Sequence, residues 1–442
     1  METRNIYWRP IGNPLRKYRQ DHFIISNFKC NFKESEEVKL NDLRRTIVNL
    51  KKTGYNTLEL GWAGHNNALA ALPICEEEGI DLILQDFTEF GGFQKREPVE
   101  VSEMHIKEYV EKHKKYRRLS GYYIWDEPWL EDSLENAGRQ ISWFEKYDPF
   151  KLPFTVALPS YNPDFTWING KYPSYVKRYS EMVNPAVFSF DYYPFGVDPV
   201  RDDSAQLDNS FLWLDLGIVT QEARVRNIPF WFYFQDLRVA KFRDIDFPMI
   251  RLQMYNALMY GAKALQSYNA TGSACSPGKE SERSVLKPDG TKGYFYEDTK
   301  NINFEMQNLG RTLMALESYG VYHSSEVLKD NDYFNENFRK NIKESGIFAS
   351  DLPKKCSVGL FKDKEDNDYV LILNRDYLNS NKFILPLKFK VRLYEVSKND
   401  GMQREIGITD KINIALSPGD GILYRLQDWK KESCLIEYFL EK

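Results

Sequence analysis

Eight short apolar runs, separated by amphipathic stretches of helical period, fill the first 330 residues and leave few folds open to this chain. The runs cover residues 23–27, 57–61, 81–86, 121–125, 154–158, 187–192, 230–234 and 264–268. Several are apolar at consecutive positions, as strands buried on both faces must be. Between them, residues 36–52 place Val38, Leu43, Ile47 and Leu50 on one helical face, with Gly54 just past the end. Residues 101–119, 130–147 and 247–261 follow the same rule, and 301–319 read as the closing helix. Strands alternating with helices dictate a parallel sheet. Eight such units are the count of a closed (β/α)8 barrel. A doubly wound sheet would usually carry a GxGxxG turn, and none is present.

The texture changes near residue 330. Strand-like runs at 357–361, 369–374, 382–387, 391–396, 411–416 and 421–426 are separated by turn signals such as Lys-Asn-Asp-Gly and Pro-Gly-Asp-Gly. No long helical period intervenes, so a small antiparallel β-sandwich is expected. The expected division is a barrel over 1–330 and a sandwich over 331–442. A long Gly- and Ser-rich segment after strand eight, 270–298, belongs at the catalytic rim of such a barrel.

Composition removes several function classes. The 60 basic and 64 acidic side chains leave a net charge of −4, which gives no support for nucleic-acid binding. No apolar run reaches the length of a membrane span. The five cysteines and five histidines are scattered without metal-ligand spacing, so no metal or organic cofactor is implied. The polar, Arg-rich first twenty residues do not read as a signal peptide. The expectation is a cytoplasmic chain, or a periplasmic or secreted one if a leader has been trimmed; oligomeric state stays open. Aromatic residues reach 15%, and although most must fill the core, Tyr and Trp also stack on sugar rings.

Chemistry concentrates where strand four ends, in Gly-Tyr-Tyr-Ile-Trp-Asp-Glu-Pro (121–128). Two carboxylates follow a mostly apolar strand at the end where barrel enzymes place catalytic groups. A carboxyl beside Trp125 and Trp129 is poorly solvated, stays protonated and can donate to a leaving oxygen. Adjacent Asp126 can orient a sugar or tune Glu127. The plainer alternative is that Asp-Glu-Pro only starts the next helix.

This segment resembles the strand-four motif of clan A glycoside hydrolases, whose acid/base Glu commonly follows an Asn and precedes a Pro; here Asp126 replaces the Asn. Residues 255–268 resemble the helix-seven to strand-eight passage of barrel glycosidases such as the thermophilic-type β-galactosidases. Residues 416–426 resemble the closing strand of their accessory sandwich. The resemblance implies a carbohydrate substrate and Glu127 as general acid/base. It also implies a nucleophilic Glu at the end of strand seven, where this chain has Gln235 followed by Asp236. An amide cannot form the glycosyl ester, and neighbouring strand residues face opposite sides.

Three readings follow. A retaining enzyme uses Asp236 or Asp191 as nucleophile; a substrate-assisted enzyme uses the adjacent Asp126–Glu127 pair, as in hexosaminidases, on an N-acetylhexosaminide; or a degenerate barrel binds glycans without cleaving them. The remaining rim candidates for substrate contact are Glu59, Trp62, His65, Gln85, Asp86, Trp125, Tyr192, Tyr193, Tyr268 and Asn269, with Gln235 bonding a sugar hydroxyl or acetamido group. Trp167 and Trp231 are sugar platforms or core.

Overall fold

The computed structural model describes residues 14–29, 40–60, 65–87, 89–93, 101–161, 171–195, 207–236, 245–271 and 283–428. Eight parallel strands form the barrel: β1 (Ile24–Lys29), β2 (Thr57–Leu60), β3 (Asp81–Gln85), β4 (Leu119–Asp126), β5 (Leu152–Ala157), β6 (Phe188–Asp191), β7 (Phe230–Gln235) and β8 (Ala264–Tyr268). Each pairs with its sequence neighbour, and β8 returns to β1, which closes the barrel. A two-residue strand, Gly92–Phe93, pairs beside the end of β4. Helices α1 (Leu40–Lys52), α2 (His65–Glu78), α3 (Glu103–His113), α4 (Glu131–Tyr147), α5 (Tyr172–Val183), α6 (Leu212–Val225), α7 (Phe247–Met259) and α8 (Tyr296–Leu313) lie between and after the strands.

The period of two along each strand explains why the runs are apolar throughout. One set of residues, including Phe28, Ile83, Tyr123, Phe154, Trp231 and Tyr233, fills the barrel. The alternate set, including Leu58, Leu82, Ile124, Phe190, Phe232 and Phe234, packs against the helices. At the N-terminal end, the Gln20 side chain closes the barrel. It accepts from Trp231 Nε1 at 2.9 Å and donates to the Lys263 carbonyl at 2.7 Å. Among the described residues, no helix is long and apolar enough to cross a membrane.

The closing helix stops at Leu313, short of the 301–319 expected from periodicity. From Glu317 the chain is a strand, β9 (Glu317–His323), whose Tyr319, Val321 and Tyr322 suit a pleated surface and find an antiparallel ladder. The second sheet therefore begins ahead of residue 330. It continues through β10 (Cys356–Lys362), β11 (Asp368–Asn374), β12 (Asn381–Val396), β13 (Gln403–Leu416) and β14 (Gly421–Asp428), in the order β9-β10-β11-β14-β12-β13. The runs 382–387 and 391–396 are one strand, whose pairing is interrupted between Pro386 and Val391. Its first half pairs with β13 alone, and Leu385, Leu387, Ile412 and Ile414 fold over Val358, Leu360, Val370 and Ile372. That fold-over makes two layers.

The sandwich is built onto the barrel. Phe361, Leu371, Leu373 and Leu423 belong to the barrel's outer core, and a Cβ at Gly421 would lie 2.4 Å from the Tyr255 ring of α7. A buried ion cluster ties the two together. Arg375 pairs with Asp208, and its Nη2 reaches Ser324 Oγ at 2.6 Å and Glu326 Oε1 at 2.9 Å. Arg375→Met should lower unfolding stability by about 1.5–3 kcal/mol, because it removes charge-assisted hydrogen bonds to Asp208 and Glu326 while Asp208 keeps its pair with Lys355. Denaturant melts of the two proteins check this, and an unchanged midpoint would show the cluster to be energetically idle.

Candidate active site

Strand β4 delivers its carboxyls by an irregularity. Its pairing with β5 shifts register between Tyr123 and Trp125, so Trp125 joins Ile124 in the outer core. Asp126 then turns back toward the interior and accepts from the Tyr123 hydroxyl at 2.7 Å. Glu127 follows with φ 51°, the left-handed region that a side-chain-bearing residue occupies at a cost. Such strain persists where the surroundings impose it and gathers at functional sites. Helix α5 supplies part of that constraint. Its Tyr175 hydroxyl donates to the Pro128 carbonyl at 2.9 Å and accepts from Leu158 N at 3.0 Å, tying the loop after β4 to the end of β5.

Asp191 ends β6 on the same face as Ser189, whose hydroxyl bonds Gln266 inside the barrel at 2.7 Å. The Asp191 carboxyl is buried, with Glu127 and Tyr193 as its polar neighbours. Burial raises its pKa well above the usual carboxylate range, and the neighbouring Glu127 and Asp126 charges raise it further. Two neighbouring carboxyls in such a setting resist ionising together. The Tyr193 and Tyr268 rings meet at a tilt, 5.0 Å between centroids, and Phe28 meets Tyr268 at 5.6 Å. Tyr161, half exposed, stands near both carboxyls, with its ring edge on Tyr192 at 5.1 Å.

Asp215 was not singled out by sequence reasoning. It is fully buried in α6 and accepts from Ser160 N at 2.9 Å, which fixes the segment that carries Tyr161. Burial pushes its pKa up to about 8. The available signal is one acidic residue inside an otherwise apolar helical run, Leu-Trp-Leu-Asp-Leu-Gly-Ile-Val, where a buried charge needs a reason.

The other sequence candidates separate by strand parity. Gln235 is buried on the inward face of β7, opposite Tyr268. Asp236, one residue on, points the other way, accepting from Ser267 and from Tyr55 at 3.5 Å, and burial raises its pKa to about 7. Glu59 lies inside the barrel, held by Ser26, Tyr233 and Gln266. Gln85 is buried at the end of β3, while Asp86 accepts from Tyr109 of α3 at 3.0 Å. Asn269 is buried just after β8 and accepts from Thr271 N at 3.0 Å. The Tyr192 hydroxyl accepts from Ser210 at 3.3 Å, and Trp231 is a core residue. Trp62, Trp167 and the His65 side chain lie outside the described residues.

The left-handed backbone at Glu127 gives a separable prediction. Glu127→Gly should raise stability by about 1 kcal/mol, through relief of the strain and of the crowded carboxyls, while removing the proposed acid. Equal or lower stability in chemical melts would mean that the surroundings do not impose this conformation.

No family model and no curated protein sequence matches the chain. Solved structures do. A catalytic mutant of a GH42 β-galactosidase from G. stearothermophilus is similar over 93% of this chain and 99% of that one, at 10% identity and TM-score 0.60. A β-glucuronidase from Ruminococcus gnavus is similar over 64% of this chain at 12% identity and TM-score 0.46, and the chain spans only about half (50%) of its length. A β-galactosidase from the psychrophilic Marinomonas ef1 is similar over 68% of this chain and 63% of that one, at 12% identity and TM-score 0.42. In fold, the chain is a (β/α)8 barrel with a C-terminal antiparallel β-sandwich, the architecture it shares with solved clan A-type glycoside hydrolases.

Proposed function

We propose that this chain is a glycoside hydrolase acting on an oligosaccharide or glycoconjugate, with Glu127 as general acid/base and Asp191 as its partner. The neighbouring Glu127 and Asp191 carboxyls at the barrel rim, Asp191 buried and Glu127 on a left-handed backbone, carry the reading. Glycosidic cleavage needs one protonated and one ionised carboxyl flanking the anomeric carbon. A pair that shares one proton meets that need. With sugar bound the shared proton lies on Glu127, which protonates the leaving oxygen and then takes a proton from water. Asp191 attacks the anomeric carbon. A sugar ring entering between them separates the carboxyls to the roughly 5–5.5 Å that retention uses. Asp126 and Gln235 hydrogen-bond sugar hydroxyls, and Tyr193 and Tyr268 offer ring faces. The activity named for the GH42 structural neighbour makes β-galactosides the first substrates to try.

Two specific observations favour other readings. Asp126 faces inward beside Glu127, the arrangement that a substrate-assisted reaction on an N-acetylhexosaminide would use. Gln235 puts an amide where clan A enzymes carry their nucleophile, which suits a barrel that binds glycans without hydrolysis. Asp191→Asn with NMR of the first-formed anomer decides among them. Retention, with turnover reduced by about 10³-fold or more in the variant, is expected for a nucleophilic Asp191. Retention confined to N-acetylated substrates, with less than about tenfold loss, would transfer the nucleophile's role to the substrate.

A further inference from the structure

The rim segment that carries Asp191 leaves the barrel sheet early. Strand β6 has four residues, and its pairing with β7 ends at Asp191, opposite Tyr233. Beyond it the chain runs Tyr192-Tyr193-Pro194-Phe195, and its side chains divide between two sides. Tyr193 meets Tyr268 at the end of β8, while Tyr192 and Phe195 are buried in the outer core. The backing of those two outward residues leads to the sandwich.

One turn of the sandwich, residues 374–377 where β11 ends, reaches this region. It is fixed by its own bonds. Asn374 N donates to the Asp420 carbonyl at 2.8 Å, Arg375 N to the Lys355 carbonyl at 2.7 Å, and the Asp376 carbonyl accepts from Gly419 N at 2.9 Å. Two side chains cross from it to the barrel. The Tyr377 ring packs edge-on against Phe195, with centroids 5.5 Å apart at 82°, and both rings are buried. The Arg375 guanidinium lies 5.5 Å over the Trp213 ring of α6 and pairs with Asp208. Trp213 Nε1 donates to the Leu207 carbonyl at 2.8 Å, which ties the segment before α6 to the helix itself. From that segment Ser210 Oγ reaches back to the Tyr192 hydroxyl at 3.3 Å. Tyr192 and Phe195, on either side of Tyr193, are thus held from outside the barrel, Phe195 by Tyr377 directly and Tyr192 through the segment that Arg375 grips.

We propose that the sandwich turn at 374–377 is a positioning device for the candidate site. Tyr377 acts through Phe195, and Arg375 acts through residues 207–213, to fix the rim segment that places Asp191 and Tyr193. The importance of that placement rests on the glycoside hydrolase reading; the mechanical coupling does not. Edge-on aromatic contacts favour one geometry, and close-packed interiors transmit a displacement rather than absorb it. A carboxyl on the last residue of a short strand keeps its place only if the residues after it keep theirs. Misplacement of a reacting group by roughly 1 Å can cost about 10²-fold in rate.

Amide exchange read by mass spectrometry tests the coupling without a substrate. Tyr377→Ala should speed exchange in the peptide spanning 188–195 by about tenfold or more, while Tyr377→Phe, which keeps the ring, should leave it unchanged. Leu385→Ala, in the folded-over layer of the sandwich, is the control. Compared at equal global stability, set with denaturant, it should not move that peptide. Arg375→Met provides a second variant; it should speed exchange across 207–213 and, through Ser210 and Tyr192, in the same 188–195 peptide. Unchanged exchange in Tyr377→Ala, or an equal rise in Leu385→Ala, would overturn the positioning role. On any glycoside that the wild type hydrolyses, Tyr377→Ala should lower kcat by about tenfold or more and change KM by less than about threefold. A loss carried by KM alone would also count against it. A wild type that hydrolyses nothing would remove the glycosidase reading and leave the exchange result to stand by itself.

Discussion

Glu127→Gln is expected to lower kcat/KM by about 10²–10⁴-fold on glycosides with poor leaving groups, and far less on those with activated aryl leaving groups. A general acid matters in proportion to the basicity of the oxygen it must protonate, so a nitrophenolate departs with little help and a sugar alkoxide does not. The glutamine keeps the volume and the contact with Asp191 but cannot give up a proton. The variant also frees Asp191 from a neighbouring charge, which should move the acidic limb of the pH profile downward, since the Glu127 charge is one cause of its raised pKa. Uniform loss across all leaving groups would place Glu127 in binding and leave proton donation to another residue.

The second large effect is on stability. Asp215 and Asp236 are buried with pKa values near 8 and 7, against about 3.9 when unfolded. The folded chain therefore holds protons that the unfolded chain has released. Between about pH 4 and 8 the unfolded state binds fewer protons, and stability falls as pH rises. The upper bound is on the order of 4–6 kcal/mol per group, and Asp191 adds to it in the same direction. Lys263 works oppositely. It is buried against the Leu313 and Leu316 carbonyls with a pKa lowered to about 7, so its penalty is removed as pH rises from 7 toward 10. Thermal melts should show Tm falling by on the order of 10 °C from pH 5 to 8, then levelling. Asp215→Asn with Asp236→Asn should flatten that slope, and a flat wild-type profile would mean that these groups ionise normally.

Much of this was legible in the residues, for a physical reason. Barrel strands are buried on both faces, so each writes itself as a continuous apolar run, and turn signals mark the sandwich. Periodicity overran the last barrel helix because Leu313 and Leu316 keep the helical spacing past the point where β9 begins. The long strand β12 read as two because its pairing is broken between Pro386 and Val391. Carboxylates at strand ends were also visible, but a list of strand ends does not say which of them meet. Alternation alone sends Asp236 outward. The inward turn of Asp126 depends on a register shift beside Trp125 that nothing in the sequence marks. The contact between Asp191 and Glu127 is set by the curvature that brings β6 near β4, which is a property of the closed barrel.

The most direct measurement is hydrolysis of a panel of glycosides with unactivated leaving groups, including β-galactosides and N-acetylhexosaminides, by the wild-type chain and by Glu127→Gln, with glycan binding measured alongside. Turnover of at least one substrate by the wild type, failing in the variant while binding persists, is the expected result. Glycan binding with no turnover of any substrate would contradict the hydrolase reading and leave a barrel that holds sugars without cleaving them.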